Sequence, residues 1–159
     1  DIIDKTARQP DGTTFAEGDF TFYSAGICRQ YKTLEEAVEK ERVNIMCPTS
    51  LPEGVVIKEV HAHKGYRCDK SMTILTQNEK VCILVDVGLK HSNPYGKNNE
   101  IYTSKNGVYY VIRNNITALG YKYSAYATVD NCGYVIQVKE YEDMIYIIEH
   151  MEYKNEAKS

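Results

Sequence analysis

Two histidines spaced two apart, His61-Ala62-His63, follow Glu59 in a run that alternates apolar and polar residues. On a strand, side chains at that spacing face the same side, so Glu59, His61 and His63 fall into line. Imidazoles and a carboxylate are good zinc ligands, but a structural zinc site takes four convergent groups. The nearest additional ligands, Cys68 and His91, fall on expected loops, so the pair reads first as a solvated strand face. A metal-dependent, hydrolase-like enzyme built on His61 and His63 is the alternative this spacing leaves open. Neither a metal nor any other cofactor is assigned.

Nucleophilic catalysis needs a thiol or hydroxyl beside a histidine and an orienting acid. Cys47 precedes Pro48 in a proline-rich segment, and nothing in its spacing forces it toward His61 or His63. The five cysteines (Cys28, Cys47, Cys68, Cys82 and Cys132) form no CxxC pair, which removes zinc-ribbon and thioredoxin-like patterns. Cys82 lies in an apolar run and reads as a small buried hydrophobe. GxSxG, P-loop and dinucleotide glycine motifs are absent. Glu35-Glu36 and Glu142-Asp143 stand at expected helix starts, where carboxylates complement the helix dipole. Asn115-Ile116-Thr117 matches a glycosylation sequon to which no role is given. No catalytic residue follows from the motifs, and a non-enzymatic protein is expected.

Tyrosine is the more informative residue. The 159 residues include fourteen Tyr, three Phe and no Trp. Tyr109, Tyr110, Tyr121, Tyr123, Tyr126 and Tyr134 crowd the last three expected strands. Alternation sends part of this set away from the core, and exposed tyrosines give rigid contact area with a polar tip, as peptide- and glycan-binding surfaces use. These six are the candidate binding residues. The competing reading is that cross-strand tyrosine pairs stabilise the sheet.

The elements that must position these groups come from patterning. Residues 1–18 are polar and read as an N-terminal arm, 19–153 as one α+β domain, and 154–159 as a tail. Phe20–Tyr23 fits an edge strand. Thr33-Leu34-Glu35-Glu36 is a capping box opening a helix over about 33–42. Strands are expected at Val43–Met46, Val55–His63, Met72–Thr76, Val81–Val87, Tyr109–Ile112, Tyr121–Val129 and Tyr134–Lys139. A long polar loop covers His91–Asn99. Met144, Ile145, Ile148 and Met151 recur at helical spacing, so Tyr141–Tyr153 is read as a closing helix. With no βαβ alternation, the expected fold is an antiparallel sheet of about six strands, with the N-terminal and C-terminal helices packed on one face.

Pro48-Thr49-Ser50-Leu51-Pro52-Glu53-Gly54, leading into a strand after the Leu34-Glu35-Glu36-Ala37 helix, resembles the bacterial domain of unknown function 4367. The resemblance covers roughly residues 33–152. It implies an extracytoplasmic domain, anchored through a membrane span outside this sequence, in Gram-positive bacteria. Some such chains look like anti-sigma factors or relatives of envelope lipoproteins. It carries over no catalytic residue.

A net charge of −3, with scattered basic residues, argues against a nucleic-acid partner. No run approaches the roughly 18 apolar residues of a membrane span. The chain begins at Asp1 and is read as a soluble piece of something longer. Taken together these features describe an extracytoplasmic sensor or interaction domain that binds a peptide, a protein or an envelope component. Besides the enzyme reading, a carrier remains: a hydrophobic cavity between sheet and closing helix, lined by Ile145, Ile148, Tyr121 and Tyr123.

Overall fold

The computed structural model of the chain describes residues 28–88, 99–114 and 116–154. The expected arm at 1–18, the segment Phe20–Tyr23, His91, Asn115 of the sequon and residues 155–159 lie outside the described residues.

Among the described residues there are ten strands and two α-helices, and the main sheet has eight strands where the patterning predicts about six. In chain order they are β1 (Arg29–Tyr31), α1 (Leu34–Glu41), β2 (Met46–Pro48), β3 (Ile57–His63), β4 (Lys70–Thr76), β5 (Val81–Val87), β6 (Glu100–Thr103), β7 (Tyr109–Asn114), β8 (Tyr123–Val129), β9 (Cys132–Val138), α2 (Tyr141–Glu149) and β10 (Met151–Tyr153). Eight strands make one antiparallel sheet in the order β1-β3-β4-β5-β9-β8-β7-β6, and β10 pairs with β2 in a separate two-stranded sheet. The added strands are short, three or four residues each. Such segments hold too few residues for alternation to register.

Local chemistry explains the elements that patterning does find. The Thr33 hydroxyl accepts from the Glu36 backbone N–H at 3.1 Å and caps α1. The β8–β9 hairpin turns on Asp130 and Asn131, at φ 52° and 63°. Asp and Asn tolerate the left-handed region that a two-residue hairpin turn demands. In Leu51-Pro52-Glu53-Gly54 the Val55 N–H donates to the Pro52 carbonyl, and Gly54 sits at φ +82°. That is a turn with left-handed backbone at its third residue, a place where glycine carries no steric cost.

Both helices lie on the same face of the large sheet, as expected. On this side the register runs Ile112, Ala125, Ile136, Ile83, Ile74 and Val60 across six strands. All six are buried. Ala37 of α1 and Met144, Ile147 and Ile148 of α2 complete this core.

The closing helix is shorter than its periodicity suggests. α2 ends at Glu149, and Met151, expected as its last apolar contact, belongs to β10 and pairs with Pro48. The His150 carbonyl accepts from both the backbone N–H and the hydroxyl of Thr49. The β2 segment therefore satisfies the helix end and draws the chain into strand pairing.

Candidate functional site on the open sheet face

Among the described residues, neither helix lies on the opposite face of the large sheet, although Val111 and Ser124 are buried there. One register row crosses all eight strands there: Ile101, Val111, Tyr126, Val135, Leu84, Thr73, His61 and Gln30. Its first five members are apolar or aromatic, and its last three are polar. Val135, Leu84 and Tyr126 are half-buried, with Leu75 and Cys82 beside them. Ile101 is exposed at the edge, Tyr109 is 64% exposed, and the Arg113 guanidinium lies 5.9 Å from the Tyr126 ring centre. The face thus grades from an apolar, aromatic half to a polar, histidine-bearing half.

The six candidate tyrosines do not share a surface. Tyr109 and Tyr126 lie on the open face, whereas Tyr110 (1% exposed), Tyr121 (3%) and Tyr134 (1%) are buried. Tyr134 accepts the Met46 N–H at 2.9 Å, tying the small sheet onto the large one. Burial pushes the Tyr110 and Tyr134 hydroxyls well above their ordinary range, and Tyr121 up to about 12. Tyr123 is half-buried on the covered side, edge-on to Tyr141 with ring centres 5.4 Å apart. Tyr109 and Tyr126 therefore present their rings on the open face, alternation turns Tyr110, Tyr123 and Tyr134 to the covered side, and Tyr121 lies before β8, buried outside that core beside Lys139.

What tyrosine does on the covered side follows a recurrent pattern that composition alone does not reveal. Tyr31 donates to Glu41, Tyr102 to Glu149, Tyr141 to Glu100 at 2.7 Å and Tyr153 to Asp130 at 2.6 Å. Each pair joins separate elements. The hydrogen bond to Glu100 is the main reason that the Tyr141 hydroxyl rises to about 12. Glu41 is buried and also holds Arg29 Nε at 2.5 Å and Lys70 Nζ at 2.9 Å. The Arg29 hydrogen bond leads in lowering its carboxyl to about 2.

Glu59, His61 and His63 share the open face as the spacing predicts. His61 Nε2 meets Glu59 Oε2 at 2.9 Å, and His63 Nδ1 meets the Lys64 carbonyl at 2.9 Å. Among the described residues, no three His, Cys, Asp or Glu side chains converge to hold a metal. Cys47 sits in the small sheet on the covered side, with the large sheet between it and both histidines. Its thiol is pushed up to about 11 by burial. Cys68 does come near: it lines a cavity of about 420 Å³ with His63, Ser71 and Asp86. There the Cys68 thiol reaches the Ser71 hydroxyl at 3.5 Å, and Ser71 donates to Asp86 at 2.7 Å. Burial raises the Cys68 thiol, so the local chemistry favours a neutral hydrogen-bonding group over a nucleophile. Cys82, expected in the core, is half-buried on the open face, with its thiol also raised to about 11 by burial.

Of the residues expected to line a carrier cavity, Ile148 is buried in the core beneath α2 and Ile145 and Tyr123 pack against it, whereas Tyr121 is buried outside that core, with the Lys139 ammonium 5.9 Å from its ring centre. A different cavity of about 420 Å³ lies between α1 and the small sheet, lined by Leu34, Val38, Cys47, Pro48 and Tyr153, with Glu35, Thr49, Glu152 and Lys154 at its rim. Sequence reasoning misses it because its walls come from three short elements far apart in the chain.

No family model, no curated protein and no solved structure matches this chain. Among the described residues, no helix is long and apolar enough to cross a membrane.

Proposed function

We propose that this domain is a non-enzymatic interaction module whose open sheet face docks a partner protein or peptide. The observation that carries this reading is the one-sidedness of the sheet. Both helices cover one face, while Ile101, Val111, Tyr126, Val135 and Leu84 run in one row across the other. A flat apolar strip rimmed by polar residues is the usual composition of a protein-binding surface. Tyr109 and Tyr126 supply the rigid aromatic contacts that concentrate binding energy in such interfaces. The resemblance of the Leu51-Pro52-Glu53-Gly54 region to domain of unknown function 4367 supports display outside the membrane, in an anti-sigma-like or lipoprotein-like setting.

The test is site-specific photo-cross-linking of the full-length protein in its native cells. A photoreactive residue at Leu84 should yield a discrete adduct, and one at Glu39 on the exposed side of α1 should not. Equal labelling at both sites, or none at Leu84, would sink the reading. The reading frame upstream of Asp1 supplies the second check. An apolar span of roughly 20 residues preceded by basic residues is expected there for a membrane-displayed domain.

A further inference from the structure

The cavity between α1 and the small sheet has walls and a rim of different character. Leu34 and Val38 come from α1, Cys47 and Pro48 from β2, and Tyr153 from β10. Cys47 is buried, and its thiol makes a long contact, 3.9 Å, with the Ile45 carbonyl. With its thiol near 11 it stays neutral around pH 7, so the floor is apolar and uncharged. The Tyr153 ring is held in place by its hydroxyl, which donates to Asp130 at 2.6 Å. The wall is therefore preorganised and includes a fixed aromatic.

The rim carries two carboxylates, Glu35 and Glu152, and one ammonium, Lys154. Lys154 Nζ lies 3.7 Å from Glu35, with both side chains largely in solvent. An exposed pair of that kind contributes little and yields readily to a competing ion. Its exchange leaves a rim with an excess of negative charge around an apolar cavity of about 420 Å³, within the range of small-molecule sites. An aromatic wall beside carboxylates favours an organic cation, through cation–π attraction as well as charge.

We propose that this cavity is a binding site for an amphipathic organic cation, an ammonium group carrying an aliphatic or aryl body. The body fills the space between Val38, Cys47 and Tyr153, and the ammonium replaces Lys154 as the partner of Glu35, with Glu152 beside it on the rim. The site lies on the covered side of the large sheet, and its occupant does not compete with a partner on the open face.

Octyltrimethylammonium, octyl sulfate and octyl glucoside, each below its micelle concentration, test this by backbone amide NMR titration. The cation should shift Val38, Cys47 and Tyr153 and bind about tenfold more tightly than the sulfate. The double variant Glu35→Gln/Glu152→Gln should erase that preference while leaving the fold intact. Bound cation should also slow alkylation of Cys47 by a thiol reagent, a readout that does not depend on a variant folding. The proposal is overturned if the sulfate binds as well as the cation, if none of the three shifts these residues, or if shifts appear only at Leu84 and Val135. The last result would place apolar ligands on the open face instead.

Discussion

Residues 135 and 136 are neighbours on β9, yet they stand in two different physical worlds. Ile136 pairs with Ile83 and Ala125 beneath the helices and is fully buried, whereas Val135 pairs with Leu84 and Tyr126 on the open face and is half-buried. The covered face is held by interlocked apolar rows and by tyrosine–carboxylate bonds that join separate elements. The open face uses the same strands and the same β-branched residues but carries neither helix, and Tyr126, Val135 and Leu84 on it are half-buried. Among the described residues, one sheet thus separates a helix-covered side from a side that neither helix covers.

The largest effect that would sharpen this contrast is a matched truncation. Ile136→Ala should lower unfolding free energy by about 3–4 kcal/mol, since it deletes packed volume that neighbours cannot refill. Val135→Ala should cost about 1 kcal/mol or less, part of its side chain being already in contact with solvent. Denaturant unfolding of both variants reads the difference directly. Equal losses would break the comparison and mean that the open face is packed as tightly as the covered one.

The buried Glu41 cluster gives the next effect. Glu41→Gln should destabilise by about 3 kcal/mol, because Arg29 and Lys70 lose the carboxylate they share. The native carboxyl is lowered to about 2 from 4.5. A lowered folded-state value means that its stabilising contribution is fully present above about pH 4.5 and is lost as the pH falls toward 2. Unfolding titrations between pH 6 and pH 2 should therefore show a steeper acid loss in the parent protein than in the variant.

Tyr134→Phe is the smaller, more local test. It removes the acceptor of the Met46 N–H in a buried setting, so a loss of about 1–2 kcal/mol is expected. Hydrogen exchange at Met46 should accelerate more than exchange at Ile83. Parallel acceleration at both positions would mean that the small sheet and the large sheet open as one unit.

Much of the framework is legible before any coordinates. Thr33 and Glu36 announce the helix start, Asp130-Asn131 announce the best hairpin, and the alternation expected over Tyr121–Val129 assigns side chains to the correct face from Tyr123 onward, Tyr121 falling before the strand. The shared side of Glu59, His61 and His63 follows from the same period of two. What could not be read are β1, β6 and β10, whose existence depends on pairing with strands distant in sequence. β10 is the clearest case, since Met151 continues the helical spacing of α2 and is buried because it pairs with Pro48. The tyrosines show the limit for sites: their number suggests a surface, but only the tertiary structure reveals that Tyr110 and Tyr134 are core and that others serve carboxylates.

Sequence by itself therefore determined the class of protein, an α+β domain with helices on one side of an antiparallel sheet, because capping, turn chemistry and periodicity are local. Tertiary structure alone decided that β5 lies beside β9, joining two antiparallel groups of strands into one eight-stranded sheet. It also decided which face of that sheet, among the described residues, both helices share, and that a cavity forms where α1, β2 and β10 meet. Each of these rests on contacts between residues tens of positions apart, and no local preference encodes which distant partner a strand or helix will find.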